Sequence, residues 1–116
     1  MNEQLQEKLL IVWSSADREV ALNMLLMYTG NAQRNHWWEH ITLLIWGPSQ
    51  RLVMDDDEIR GTISELRQLG IRIIACKACA DKYGYAGTLT DLGIEVFGTG
   101  PTLTSWLKSS SRVITF

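Results

Sequence analysis

The chain has 116 residues, of which 46% are hydrophobic and 21% charged, and its formal net charge is −2. This is the composition of a globular protein, and the length fits one domain over residues 1–116. The basic residues are scattered, which argues against a nucleic-acid-binding face. No apolar run is long enough to cross a bilayer. The polar start and the short apolar run after it predict no signal peptide, so a cytoplasmic location is the default expectation.

The first predicted strand and helix are both strongly apolar. Lys8–Trp13 is a continuous apolar run, typical of a strand buried on both faces of a parallel sheet. Ser15 or Asp17 is expected to cap a helix over Arg18–Tyr28, which should end near Gly30. Because this helix is apolar almost all round, we expect it to be well buried or to pack partly against another subunit.

A second strand and two helices are predicted next. Ile41–Trp46 is another buried apolar run, and residues 49–54 predict a short helix. The triplet Asp55–Asp57 offers an N-cap for a longer helix over residues 57–69. The apolar residues of that helix recur at i, i+4 and i+7 on one face, and they are Ile59, Ile63 and Leu66.

The rest of the chain continues the alternation of strands and helices. The predicted elements are a strand over Ile71–Ala75, short helices closed by Gly84 and Gly93, a strand over Ile94–Phe97, a helix over Thr102–Leu107 with Pro101 in its first turn, and a strand over Arg112–Phe116. Five strands alternating with helices predict an α/β fold. We expect a three-layer α/β/α sandwich around a five-stranded, mostly parallel sheet.

Ligands of parallel α/β sheets bind at the carboxyl ends of the strands. The residues that directly follow the strands are therefore the candidate site residues. They are Trp13, Ser14 and Ser15 after the first strand, Trp46 and Gly47 after the second, Cys76 after the third, and Gly98 and Thr99 after the fourth.

Cys76 and Cys79 are the only cysteines, and they are spaced C-x-x-C. A thiol at a strand end that opens a helix faces unpaired backbone N–H groups, which lower its pKa and favour the nucleophilic thiolate. Lys77 and Lys82 are expected to act in the same direction. The alternative interpretation is that the two cysteines are simply small buried residues.

A metal site and a thioredoxin-like dithiol are both disfavoured. Zinc needs four ligands, or three and a water, and besides the two cysteines the notable candidates are His36 and His40. These histidines match the inverted zinc-protease pattern H-x-x-E-H, but that pattern needs a helix and here it runs into a predicted strand. The C-x-x-C pair follows the third strand, which is not its place in thioredoxins. The sequence predicts neither a metal nor a cofactor.

The segment "CKACADKYG" resembles the DsrE-like sulfur-relay family, which includes the DsrE, DsrF and TusD branches. In it a cysteine at a strand end is followed eight residues later by a glycine, Gly84. The segments "LGIEV" and "PTLTSWLKSSSRVITF" support the likeness to small DsrE-like proteins. The resemblance implies a flavodoxin-like sheet, a cytoplasmic protein, assembly into trimers or hexamers, and Cys76 as the sulfur acceptor.

Two hypotheses about function follow. In the first, the protein is a sulfur carrier, or a sulfurtransferase-like protein, that receives a persulfide on Cys76 from a donor protein and passes it to an acceptor protein. Lys77 would support the thiolate, Cys79 would resolve the persulfide as a disulfide, and Trp13 and Trp46 would wall the pocket. In the second, the protein is a non-catalytic oligomeric module that binds a small ligand at the strand ends.

Overall fold

The protein is described by a computed structural model over residues 8–116, and its centre is a sheet of five parallel strands. The polar residues 1–7, on which the prediction of no signal peptide rests, lie outside the described part. The strands are β1 (Lys8–Trp13), β2 (His40–Ile45), β3 (Arg72–Cys76), β4 (Glu95–Phe97) and β5 (Arg112–Thr115). Their order is β4–β3–β2–β1–β5, and every neighbouring pair is parallel. The predicted α/β fold is confirmed.

Helices cover both faces of the sheet. They are α1 (Arg18–Val20), a π-helical turn (Ala21–Leu25), α2 (Leu26–Arg34), α3 (Ser49–Asp55), α4 (Asp57–Gln68), α5 (Lys77–Tyr83), α6 (Ala86–Asp91) and α7 (Gly100–Lys108). Strands β1 to β4 lie side by side in chain order, so right-handed crossovers place α1 to α6 on one face. The chain then returns to β5 on the other side of β1, which places α7 on the opposite face. None of the helices in residues 8–116 is long and apolar enough to span a membrane.

Each face of the sheet has its own hydrophobic core, because successive strand residues point to opposite faces. On the face covered by α1 to α6, β1 contributes Leu9, Ile11 and Trp13. On the α7 face, the buried strand residues are Leu10, Val12, Leu44 and Ile74, and Leu103 and Trp106 of α7 pack against them. Alternate residues along a strand therefore join different cores. The same alternation decides to which face the residues at the strand ends point.

Two aspartates cap helices on the α1–α6 face. Asp17 accepts hydrogen bonds from the backbone N–H groups of Glu19 and Val20, at 2.8 and 3.2 Å. Asp56 accepts from the first-turn N–H groups of α4, at 3.0 and 3.1 Å. It also accepts from Arg18 at 2.6 Å, and this guanidinium holds the pKa of Asp56 below its usual value. Both helix starts agree with the sequence prediction.

The long helix after β1 does not end where it was predicted to end. It was expected to end near Gly30 but runs on to Arg34, and Gly30 is a buried residue within α2. A Cβ atom there would be 2.9 Å from the guanidinium of Arg34 and 3.5 Å from Leu66 of α4. It was also expected to be well buried or to pack partly against another subunit. In the single chain Met24 and Met27 are 52% and 55% exposed, because only one side of the helix meets the sheet and α4.

Candidate functional site

Cys76 lies where a strand turns directly into a helix. It is the last residue of β3 and the N-cap residue of α5, with an extended backbone of φ −71° and ψ 119°. Its side chain is only 8% exposed. Cys76 comes two residues after Ile74 in β3, so its side chain points to the same face of the sheet, the α7 face.

Groups close to Cys76 shift the pKa of its thiol in both directions. Burial raises the pKa of this thiol, but the backbone N–H of Cys79 and the hydroxyl of Thr99 lower it. The Cys79 thiol and the backbone N–H of Ala78 add to the lowering, and the net effect is a pKa below that of an ordinary cysteine. The environment therefore favours the thiolate, the form of a cysteine that attacks electrophiles.

The pKa of Cys79 shifts in the opposite direction, although Cys79 lies beside Cys76. Burial raises the pKa of Cys79, and the hydrogen bond and negative charge of Cys76 raise it further. The backbone N–H of Gly47 and the ammonium group of Lys82 act against this rise without reversing it. Of the two thiols, Cys76 ionises first and Cys79 remains protonated to higher pH.

A pocket of about 310 Å³ opens beside Cys76. Its walls come from the ends of β2, β3 and β4 and from the first turns of α7, and they consist of Trp46, Cys76, Ala78, Gly98, Thr99, Gly100, Pro101 and Leu103. Trp46 is 41% exposed and stands at the solvent side. Gly98 and Gly100 are exposed, and a Cβ atom placed on either would meet no atom within 4 Å.

Three other predicted site residues lie away from this pocket. Trp13 is fully buried in the core of the α1–α6 face, so its predicted role as a pocket wall is wrong. The reason is the register of the strands. Trp13 pairs with Ile45, which pairs with Ala75, so these three side chains share one face of the sheet. Cys76 comes one residue after Ala75 and therefore points to the opposite face. The backbone N–H groups of Ser14 and Ser15 donate to the carbonyl oxygen of Phe116, at 2.8 and 3.3 Å, and tie β1 to the end of β5.

Lys77 is held away from the thiolate that it was expected to support. Its ammonium group pairs with Asp81, four residues later on α5, at 2.5 Å, and both side chains are more than half exposed. This is the spacing at which side chains meet on one helical face, here the solvent face. The groups that lower the pKa of Cys76 are backbone N–H groups and neighbouring side chains, and the nearby ammonium group of Lys82 acts on Cys79.

Gln50 supports the site and was not found from the sequence. It is fully buried, and its side-chain amide donates to the carbonyl oxygens of Ile45 and Cys76, at 3.2 and 3.1 Å. These carbonyls end β2 and β3, so Gln50 joins the two strand ends and holds the backbone that carries the thiol. A lone glutamine in a short helix carries no sequence signal for such a role.

The histidines of the H-x-x-E-H pattern do not share a helix. His40 begins β2, and His36 lies in the preceding loop with a φ of 55°. Within residues 8–116, no group of three or more histidine, cysteine, aspartate or glutamate side chains is placed to hold a metal ion.

The Thr99 hydroxyl provides a direct test of the thiolate environment. Thr99 is the N-cap residue of α7, but its side chain makes no cap hydrogen bond, so the hydroxyl is free to donate to Cys76. In a Cys79→Ser background, we expect Thr99→Val to raise the pKa of Cys76. The rate of alkylation by iodoacetamide should then begin to rise at higher pH.

Thr99→Ser is the matched control for this test, because it keeps the hydroxyl and should leave the pH profile near that of the parent. An unchanged profile in Thr99→Val would show that the hydroxyl does not stabilise the thiolate. A shift of equal size in both variants would trace the effect to packing.

Comparison with known proteins shows the family of the chain. A family model, described as the DsrE/DsrF-like family, matches residues 8–116. The chain belongs to the DsrE/DsrF-like family. A solved protein of unknown function from Bacteroides thetaiotaomicron, BT1422, is 35% identical, with 100% of both chains covered and a TM-score of 0.95.

Two more distant structures share the DsrE-like fold. They are the ychN protein from E. coli, at 19% identity and a TM-score of 0.72, and MTH1491 from Methanobacterium thermoautotrophicum, a protein of unknown function, at 20% identity and a TM-score of 0.75. Each alignment covers 96% of this chain and 99% of the other. No curated protein matches the chain significantly.

Proposed function

We propose that this DsrE-like protein accepts sulfur on Cys76 as a persulfide and passes it on. The observation that carries the proposal is the position of Cys76, which ends β3, opens α5 and lines a pocket. The lowered pKa of its thiol supports the same chemistry. Membership of a family that is generally related to sulfur relay supports the same chemistry.

The acceptance step is a thiolate attack on a donor persulfide, R–S–SH. The thiolate of Cys76 bonds to the outer sulfur, the S–S bond of the donor breaks, and the donor leaves as its thiolate, R–S⁻, which then takes up a proton. Cys76 then carries one additional sulfur. The same hydrogen-bond donors that favour the Cys76 thiolate also favour it as a leaving group when an acceptor attacks the outer sulfur, since a thiol of lower pKa leaves faster.

The pocket shields the transferred sulfur from solvent. Cys76 is only 8% exposed, so a donor must present its sulfur through the pocket rather than on a flat surface. Its largely apolar walls, with Trp46 and Leu103 among them, limit access of water to the S–S bond. We infer that donor and acceptor insert a narrow, sulfur-bearing group.

The proposed setting follows the family. We propose a cytoplasmic homo-oligomer, a trimer or hexamer, that works with a sulfur donor protein and a sulfur acceptor protein. The exposed side chains of Met24, Met27 and Trp37 support an assembly, because apolar side chains on the outside of a helix and its following loop are suited to burial between subunits.

The test uses the Cys79→Ser variant, in which Cys76 is the sole thiol. The reduced variant is incubated with a cysteine desulfurase and free cysteine, and its intact mass is measured. We expect a gain of one sulfur that dithiothreitol removes. If the protein gains no sulfur, the carrier proposal fails, and the pocket is then better explained as the binding site of a non-catalytic module.

A further inference from the structure

The two cysteines are within reach of each other. Cys76 is the N-cap residue of α5, Cys79 lies in the first turn of the same helix, and both are free cysteines. Positions three apart in a helical turn are neighbours, at a separation that suits the Cα–Cα spacing of about 4.4–6.8 Å found in disulfides. A bond between the two sulfurs therefore needs no rearrangement of the sheet.

Two groups from other residues also favour the thiolate form of Cys79. The backbone N–H of Gly47, in the loop after β2, and the ammonium group of Lys82 both act to lower its pKa. Gly47 has a φ of 71°, a left-handed backbone conformation that suits glycine.

We propose that Cys79 resolves the persulfide on Cys76, so that the site releases sulfide and closes as a disulfide. This inference rests on the proposed acceptance of sulfur by Cys76. It makes the protein a thiol-dependent persulfide reductase when the sulfur is not collected by an acceptor.

The step balances within the site. The sulfur of Cys79 attacks the inner sulfur of the persulfide, which is the original sulfur of Cys76. The Cys76–Cys79 bond forms, the bond to the outer sulfur breaks, and the outer sulfur leaves with the protons of the persulfide and the Cys79 thiol as H₂S. The two cysteines lose two electrons and the outer sulfur gains them. An external thiol or dithiol reductant must then restore both thiols.

The different acidities of the two thiols set the order of events. Cys76, with its lowered pKa, is the thiolate that meets the donor, while Cys79 stays protonated and unreactive toward it. Cys79 acts only when a sulfur on Cys76 turns that residue from nucleophile into electrophile. The site thus chooses between handing the sulfur on and reducing it, according to whether an acceptor arrives before Cys79 reacts.

The experiment compares the reduced wild-type protein with Cys79→Ser under the desulfurase and cysteine treatment. Each protein is separated quickly from the small molecules, and its intact mass and released sulfide are then measured. We expect the wild-type protein to lose two hydrogens and release one sulfide per chain. Cys79→Ser should keep the added sulfur and release none.

Each outcome decides between the two proposals. A wild-type protein that keeps the added sulfur, releases no sulfide and still has an alkylatable Cys79 overturns the resolving role but leaves the carrier role. Failure of Cys79→Ser to gain sulfur overturns the carrier role itself. As a check that needs no donor, diamide should convert both thiols of the wild-type protein into one intramolecular disulfide; two thiols that remain alkylatable would also overturn the resolving role.

Discussion

Replacement of Cys76 by serine is expected to abolish sulfur acceptance, although the variant keeps the second thiol. Serine retains the size of the side chain and can bond to Thr99, so the fold should persist. Its hydroxyl is far too weakly acidic to form the nucleophile. Cys79 cannot substitute, because burial raises its pKa and it lies outside the pocket walls. In the desulfurase assay, the intact mass of Cys76→Ser should remain that of the untreated protein.

The matched control is Cys79→Ser, which loses a thiol from the same turn of α5 and should still gain one sulfur. Because each variant keeps one thiol, a difference in sulfur gain between them must come from the position of that thiol. An equal gain of sulfur in both variants would mean that any cysteine in this turn reacts, and the special environment of Cys76 would have no functional meaning.

The second large effect concerns stability and distinguishes Trp13, which ends β1, from Trp46, which directly follows β2. Trp13 is fully buried, whereas Trp46 is 41% exposed. Removing a buried tryptophan side chain costs the transfer free energy and leaves a cavity, so Trp13→Ala should lower the free energy of unfolding by about 3–5 kcal/mol. Trp46→Ala should cost much less, and should instead change the reactivity of Cys76, since Trp46 forms the outer wall of its pocket.

Urea unfolding of the two variants measures the first effect, and the alkylation rate of Cys76 measures the second. Because a loss of this size takes a large share of the stability of a small domain, Trp13→Phe and Trp46→Phe provide a milder matched pair. Equal losses of stability at the two positions would contradict the assignment of Trp13 to the core and Trp46 to the pocket.

The order and type of the elements could be predicted from the sequence because their signals are local. Continuous apolar runs marked the strands, and the helix caps at Asp17 and Asp56 use side chains that bond within their own turn. The position of Cys76 at a strand end followed from the same pattern. The sequence pattern alone thus predicts that Cys76 lies at the carboxyl end of the third strand, and the structure confirms this position.

What the sequence did not predict depends on register and on contacts between distant segments. Trp13 and Trp46 look alike in the sequence, since each ends an apolar run. The alignment of Trp13 with Ile45, and of Ile45 with Ala75, turns Trp13 to the α1–α6 face and Trp46 to the α7 face. Lys77 was misjudged because Asp81 lies one helical turn away and holds its ammonium group at the surface.

Gln50 was missed for a similar reason. Its role depends on the ends of two strands, which lie 5 and 26 residues away along the chain. Buried carbonyl groups at a sheet edge need donors, but the residue that supplies them is known only when the helix after β2 is in place.

The central claim is that Cys76, and not Cys79, receives the sulfur. The most direct test is to react the reduced wild-type protein briefly with the desulfurase and cysteine, stop the reaction with an alkylating reagent, and locate the additional sulfur by fragmenting the peptide that holds both cysteines. At the earliest times, before a disulfide accumulates, the additional sulfur should lie on Cys76. Finding it first on Cys79, or on neither residue, would contradict the account.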